Sequence, residues 1–172
     1  MQASEIFEAE PISSEFKRWF DGSKIVDAAG NPLRLYHGTS RDQDFKQFKV
    51  PGNGAWFTTN PKDASQYAIE NDSQNYRWDS GGYVRTNTAS RVIPVYVRAM
   101  NPLRITELPD EVRHAGANNR GGDPTKTYRK AQRDWFDKLR REGYDAVVIG
   151  GDTVVVLNSP KQIKSAIGNR MT

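Results

Sequence analysis

The sequence of 172 residues contains no cysteine and only two histidines. Without cysteine the chain forms no disulfide bond and offers no thiol nucleophile or thiolate metal ligand. Two histidines are too few for a histidine-rich zinc site, so we expect no bound metal. The absence of cysteine also suits a reducing compartment, and we expect the protein to act in a cytoplasm.

Long apolar runs and the common nucleotide-binding motifs are absent as well. No stretch approaches the roughly 20 apolar residues of a membrane span, and residues 1–12 are too polar for a secretory signal, so we expect no membrane association. A P-loop and a Gly-x-Ser-x-Gly turn are missing. Gly52 and Gly54 lack the third glycine of a dinucleotide-binding fingerprint. Any nucleotide that this protein binds therefore occupies a site other than a Rossmann crevice.

Aromatic and charged residues, in contrast, are plentiful. Four Trp, seven Tyr and seven Phe supply large side chains for a core, and the chain has the length of one ordinary domain. We predict one domain over residues 13–168, between a polar lead-in at 1–12 and a short tail at 169–172. The net charge of +4 permits an acidic or nucleic-acid partner without requiring one.

Three segments have the pattern of helices. Residues 13–20 begin with serines that can cap a helix, and their aromatic side chains fall on one face. Residues 60–69 begin with Asn-Pro, which is typical of the first positions of a helix. Residues 128–142 are amphipathic and precede a glycine. Residues 70–90 are rich in polar turn formers and predict a long surface loop.

Short segments rich in β-branched and aromatic residues predict six strands. They are residues 24–26, 33–37, 54–58, 91–98, 144–149 and 152–157. Turn residues predict one hairpin from the first two segments and another from the last two. Pro94 predicts an edge position or a bulge for its strand. Because strands and helices do not alternate regularly, we predict an α+β fold of split antiparallel sheets with a few helices.

The first candidate site lies where a predicted strand ends. His37 is the last residue of that strand and is followed by Gly38 and Thr39. An imidazole and an unobstructed backbone can therefore face a ligand together. The alternative is an ordinary polar residue at a turn, and the residues alone leave both interpretations open.

Two aromatic residues form a second candidate, and the last strand forms a third. Tyr67 shares a face of its predicted helix with Ala64, whose small side chain lets a flat ligand reach the Tyr67 ring. Trp56, on the preceding strand, can supply the other side of a sandwich around a planar heterocycle. Core packing is the alternative for both rings. Asp152 and Thr153 start the last strand, where either can hydrogen-bond a sugar hydroxyl or simply end the turn.

These segments, taken in order, resemble one family of enzymes. Residues 35–39, residues 54–58 and the helix through Tyr67 are similar to the His-Tyr-Glu class of ADP-ribosyltransferases, which includes diphtheria toxin and the poly-ADP-ribose polymerases. The resemblance implies an ADP-ribosyltransferase-like fold and NAD as the substrate. It also implies a macromolecular acceptor, either protein or nucleic acid.

The resemblance is closer to the ADP-ribosyltransferase domains of phage polyvalent proteins. Their opening Trp-Phe helix and Ser-Lys-Val-Val-Asp … Gly-Lys-Pro-Leu hairpin are similar to residues 16–33 here. Their ending is similar to residues 155–166, with one residue inserted. The resemblance covers roughly residues 14–167 and implies an association with a phage or a toxin, acting in the cytoplasm of a bacterial host cell.

The resemblance implies roles for most of the candidate residues. His37 is expected to hold the adenosine ribose of NAD, and the Gly38 backbone to anchor the nicotinamide amide. Tyr67 is expected to stack on the nicotinamide ring, with Trp56 as a second aromatic residue. The expected NAD-binding set is completed by their neighbours Thr39, Phe57 and Ala64.

The sequence departs from the family at two positions. The family's catalytic Glu begins the final strand, where counting back from residues 154–157 gives Thr153. A local bulge would present Asp152 instead. Ala64 stands where the polymerases have a Ser that holds the nicotinamide amide. Since some members of the polymerase group lack the Glu and still transfer single units, we predict mono-ADP-ribosyl transfer.

Three other functions are compatible with the residues. NAD hydrolysis, with water as the acceptor, is the second enzymatic possibility. Loss of the Glu also allows an inactive NAD-binding or protein-interaction module. The positive charge allows a nucleic-acid-binding domain, although the sequence contains no recognition motif of that class.

Overall fold

The computed structural model describes residues 12–39, 48–70, 76–79, 82–85, 91–117 and 123–167. Within these ranges the helices are α1 (Ser14–Phe20), α2 (Pro61–Glu70), α3 (Asp110–Arg113) and α4 (Pro124–Arg141). The strands are β1 (Leu35–Thr39), β2 (Ala55–Thr58), β3 (Tyr76–Asp79), β4 (Gly82–Arg85), β5 (Arg91–Val97), β6 (Pro102–Ile105), β7 (Ala146–Ile149), β8 (Thr153–Val156) and β9 (Ile163–Ser165). None of the described helices is both long and apolar enough to cross a membrane. Apart from Ile12, the predicted lead-in and tail lie outside the described residues.

Side-chain caps fix the starts of the three longer helices. At α1, Ser13 Oγ accepts a hydrogen bond from the backbone N–H of Phe16 at 3.1 Å. Asn60 and Asp123 cap α2 and α4 in the same way, at 3.0 Å and 2.9 Å. Such caps satisfy donors that have no partner within the helix and contribute about 1 kcal/mol each. The three predicted helices are confirmed, although α4 begins at Pro124, before its predicted start.

Seven strands form one mixed sheet in the order β6-β7-β8-β2-β1-β5-β9, and β3 and β4 form a separate hairpin. The pair β6–β7 is parallel and the other pairs are antiparallel. Five aligned residue pairs join β1 to β5 and four join β2 to β8, whereas a single pair, Tyr36 with Thr58, joins β1 to β2. The α+β class is confirmed, and the split lies within one sheet, between β1 and β2.

Both faces of the sheet are covered by apolar side chains. One face packs against the N-terminal segment through the buried residues Ile25, Leu35, Phe48, Phe57 and Val95. The opposite face packs against α4 through the buried residues Phe136, Leu139, Val147, Val155 and Leu157. Burying a side chain of this size stabilises the fold by about 1.5–3 kcal/mol. The first core includes strands from both sides of the split and therefore holds the two parts of the sheet together.

The first predicted hairpin forms its turn but not its ladder. Asp27 Oδ1 accepts hydrogen bonds from two backbone N–H groups of the turn, each at 2.9 Å. Val26 and Pro32 make an isolated bridge beside it. The chain then enters β1, which pairs with β2 and β5 instead. Turn residues specify the local reversal, but the later pairing depends on strands that lie far away in the sequence.

Several strands lie in segments for which the sequence predicts no strand. The predicted loop at 70–90 contains the paired strands β3 and β4, so that prediction is wrong for this part. Its β-forming residues, such as Tyr76 and Tyr83, are outnumbered by polar neighbours. The pattern also misses β6, whose four residues pair with the distant β7.

Pro94 lies in β5, which is next to the edge of the sheet and not at the edge itself. Its carbonyl oxygen accepts a hydrogen bond from Ala166 N–H at 2.9 Å, at the end of the short edge strand β9. In an antiparallel strand the N and O atoms of one residue point to the same side, so the missing N–H of Pro94 also faces that end. The strand therefore tolerates the proline without a bulge.

Candidate functional site

A cavity of about 220 Å³ opens where β1 and β2 separate. Beyond the pair of Tyr36 and Thr58 the two backbones are no longer aligned. The residues that line this fork cavity are Tyr36, His37, Gly38, Trp56, Phe57, Thr58, Asp63, Ala64 and Thr153. They come from β1, β2, α2 and the first position of β8. The split in the sheet thus brings together residues that are distant in the sequence.

His37 links the two strands of the fork. Its Nδ1–H donates a hydrogen bond to the carbonyl oxygen of Trp56 at 3.0 Å, because a carbonyl oxygen only accepts. The ring packs against Phe48 and Phe57, with centroid distances of 5.7 and 5.5 Å. Burial lowers the pKa of His37 from its ordinary value of 6.5, and the hydrogen bond to Trp56 opposes this shift only in part. The imidazole is therefore neutral near pH 7, with Nε2 as a hydrogen-bond acceptor.

Gly38 lies directly against α2. A Cβ atom at this position would lie 1.8 Å from the carbonyl oxygen of Ala64 and 3.1 Å from the Cβ atom of Ala68. Both alanines are buried. The small residues let the helix approach the backbone of β1 closely, and a larger residue at Gly38 would displace it. Gly38 and Ala64 therefore have a packing role in addition to their expected place in the NAD site.

Trp56 is held by the preceding loop and by α4. Its Nε1–H donates a hydrogen bond to the carbonyl oxygen of Asn53 at 2.8 Å. The side-chain amide of Asn53 donates in turn to the Arg129 carbonyl at 3.0 Å and to Gln132 Oε1 at 2.9 Å. The Trp56 ring lies 6.2 Å from that of Phe136. The indole N–H is therefore already paired, and the ring packs with the core beneath α4.

The other expected members of the NAD site are placed in different ways. Phe57 lines the cavity, but it is only 2% exposed and belongs mainly to the core. Thr39 ends β1 opposite Arg91 and does not line the cavity. Tyr67 lies within α2, and its side chain is outside the described residues. Its stacking on nicotinamide stays a prediction.

Thr153 and Asp152 have different environments at the start of β8. Thr153 is aligned with Thr58 of β2 and with Ile149 of β7, and both ladders continue without an extra residue. No bulge therefore turns Asp152 inward. Thr153 lines the cavity, whereas Asp152 is exposed in the preceding turn and accepts a hydrogen bond from Thr153 Oγ1 at 3.2 Å. This register favours Thr153 over Asp152 for the position of the family's Glu.

Three residues of the cavity are not among those that the sequence singles out. Tyr36 and Thr58 are the aligned pair at which the fork begins. Asp63 lies in the first turn of α2 and is the one carboxylate among the described residues that line the cavity. Asp63 precedes Tyr67 by four residues, the spacing of one helical face, and this spacing is the signal that could have revealed it.

The described residues that line the site offer side chains suited to an organic ligand. In the parts of the chain that the structure describes, no three or more potential metal ligands lie close enough together to hold an ion. What the cavity does offer is a neutral imidazole, an aromatic ring, hydroxyl groups and one carboxylate. Such groups suit an organic ligand that carries sugar hydroxyls and a flat ring.

A family model described as ADP-ribosyltransferase in polyvalent proteins matches residues 27–172. The match includes both strands of the fork, α2 and the start of β8. Comparison with curated proteins and comparison with solved structures each gave no match.

Proposed function

Because the chain belongs to the family of ADP-ribosyltransferases in polyvalent proteins, we propose that it is a mono-ADP-ribosyltransferase. Enzymes of this kind use NAD as the substrate. We propose that the fork cavity is where the bond between nicotinamide and ribose breaks, and that single ADP-ribose units pass to a protein or a nucleic acid. The association with a phage or toxin, and action in the cytoplasm of a bacterial host, belong to the same proposal.

The observation that supports this function best is that His37, Trp56 and Thr153 line one cavity. The acceptor Nε2 of a neutral His37 suits a hydroxyl of the adenosine ribose. The Trp56 ring suits the planar nicotinamide, and the side-chain-free backbone of Gly38 suits its amide group. Thr153 can hydrogen-bond the nicotinamide ribose from the opposite side.

The proposed reaction breaks the bond between ribose C1′ and the nicotinamide ring nitrogen. The electron pair leaves with nicotinamide, so its ring nitrogen loses its positive charge and the ribose gains one, as in other glycoside cleavages. An oxygen or nitrogen of the acceptor then bonds to C1′ and releases its proton to solvent. The protein has to hold both rings in a fixed geometry and stabilise the ribose cation.

The Thr153 hydroxyl carries no charge, which distinguishes this site from one with a Glu at that position. A hydroxyl can orient the ribose, but it stabilises a developing cation far less than a carboxylate does. We therefore propose slow transfer of single units and no synthesis of polymer.

The central experiment follows NAD that is labelled in its adenosine part. The protein is incubated with this NAD and a bacterial lysate, and samples are then treated separately with protease and nuclease. We expect macromolecular label that only one of the two treatments releases. His37→Ala and Tyr67→Ala should each abolish turnover while the proteins still unfold cooperatively.

Other outcomes distinguish the remaining functions. Label that appears only as free ADP-ribose indicates NAD hydrolysis. NAD binding without release of nicotinamide indicates an inactive binding module. If calorimetry detects no binding even at millimolar NAD, the proposed function is wrong.

A further inference from the structure

Asp63 brings a negative charge to the fork cavity. It is exposed, lies in the first turn of α2, and lines the cavity. The next residue, Ala64, is the one whose carbonyl oxygen lies against Gly38. The close contact between helix and strand therefore fixes the backbone that carries Asp63.

The start of α2 is also tied to the start of β8. Thr58 is aligned with Thr153, and the N–H of Thr59 donates to the carbonyl oxygen of Asp152 at 2.9 Å. The cap of α2 follows directly, and Asp63 comes within the first helical turn. Asp63 and Thr153 thus line one cavity from two elements whose preceding residues, Thr59 and Asp152, are joined by a hydrogen bond.

An acidic residue in the first turn of a helix also has an ordinary structural effect, since it interacts favourably with the helix dipole. That effect accounts for an acid at this position but not for its place in the cavity. Asp152, the other acid near β8, does not line the cavity.

We propose that the Asp63 carboxylate stabilises the ribose cation during NAD cleavage. This inference rests on the proposed function. When the bond between C1′ and the nicotinamide nitrogen breaks, the electron pair leaves with nicotinamide and the ribose becomes positive. Asp63 accepts a hydrogen bond from a ribose hydroxyl and transfers no proton. It acts from the α2 side of the cavity, whereas Thr153 orients the ribose from the β8 side.

The test compares three single variants of the whole chain. Asp63→Asn removes the charge with little change of shape, and Asp63→Glu keeps the charge. Glu15→Gln is the matched control, because it also removes an acid from the first turn of a helix but lies on α1, away from the cavity. Release of nicotinamide gives kcat and KM, calorimetry gives NAD affinity, and thermal unfolding gives Tm.

We expect Asp63→Asn to lower kcat by about 10²-fold, the scale of one lost electrostatic contact in a transition state. KM and NAD affinity should change little, and Asp63→Glu should recover part of kcat. Glu15→Gln should keep the wild-type kinetics, and both charge-removing variants should lower Tm by a similar small amount.

Three results would overturn the inference. If the wild type releases nicotinamide and Asp63→Asn has the same kcat, the inference fails while the proposed function stands. If Asp63→Asn lowers NAD affinity or Tm together with kcat, and Asp63→Glu restores none of these quantities, the role of Asp63 is structural. A wild type that releases no nicotinamide contradicts both the proposed function and the inference.

Discussion

The two sides of the fork cavity are built in different ways. On the β1 side, Gly38 packs against buried alanines of α2, and a single added atom would meet backbone. On the β8 side, Thr153 follows an exposed turn in which Gly150 and Gly151 have positive φ angles of 61° and 81°. The first side is fixed by core packing, whereas the second begins where the chain leaves the core. A substitution at the start of β8 should therefore disturb the fold less than one at Gly38.

The largest effect should come from the β1 side. We expect Gly38→Ala to lower the free energy of unfolding by about 3 kcal/mol or more, because its Cβ atom would overlap the Ala64 carbonyl oxygen. Gly52→Ala is the matched control, since its Cβ would meet only the flexible Arg133 side chain. Gly52→Ala should change the free energy of unfolding by no more than about 1 kcal/mol. Urea denaturation measures both, and equal losses would mean that the packing of α2 on β1 is unimportant.

Substitutions on the β8 side should change the rate and leave stability nearly intact. Thr153→Val should lower nicotinamide release by about tenfold or more, and Thr153→Glu should raise it, because a carboxylate stabilises the ribose cation. Asp152→Asn should have a smaller effect than Thr153→Val, since Asp152 is exposed and outside the cavity lining. A loss of about 10²-fold in Asp152→Asn, with full activity in Thr153→Val, would reverse the assignment.

Binding at the fork can be observed through tryptophan fluorescence. We expect NAD to quench part of the emission of the four Trp residues, because Trp56 lines the cavity. Trp56→Phe should remove most of this quenching. Trp135→Phe is the control, since Trp135 packs beside Phe136 on α4 and does not line the cavity. Quenching that persists in Trp56→Phe would place the nicotinamide elsewhere.

The smallest effect should be a dependence of stability on pH at His37. Burial lowers its pKa in the folded state below the ordinary 6.5. Below pH 6.5 the unfolded state therefore binds more protons than the folded state. The free energy of unfolding has its highest value above this pH, and it declines as the pH falls toward the pKa of the folded state. Denaturation between about pH 5 and pH 7 measures the slope. His37→Gln should flatten it.

The sequence predicts those parts of the fold whose signals are local. Several elements depend on neighbouring residues. They are the caps of α1 and α2, the turn at residues 27–31 and the strand through residues 55–58. The order of strands in the sheet does not depend on neighbouring residues, because β2 pairs with β8, which lies far away in the sequence. The four-residue strand β6 pairs in parallel with the distant β7, and no local pattern reports such a pair.

In the candidate site, too, the sequence predicts what local motifs specify and misses what depends on tertiary contacts. His37, Trp56 and Thr153 were expected from motif order, and they line one cavity. The packing role of Gly38 depends on how closely α2 approaches, which is a tertiary property. Asp63 has only the weak signal of helical spacing, since an acid near a helix start is common for electrostatic reasons.

The pairing of β2 with β8 also determines when the site can form during synthesis. Roughly 100 residues separate Thr58 from its partner Thr153. At ~5–20 residues per second, a ribosome needs roughly 5–20 seconds to make this stretch. Until then β2 lacks one neighbour, and the cavity lacks Thr153, the residue that β8 contributes to its lining. A nascent chain therefore cannot complete the fork cavity until β8 has been made.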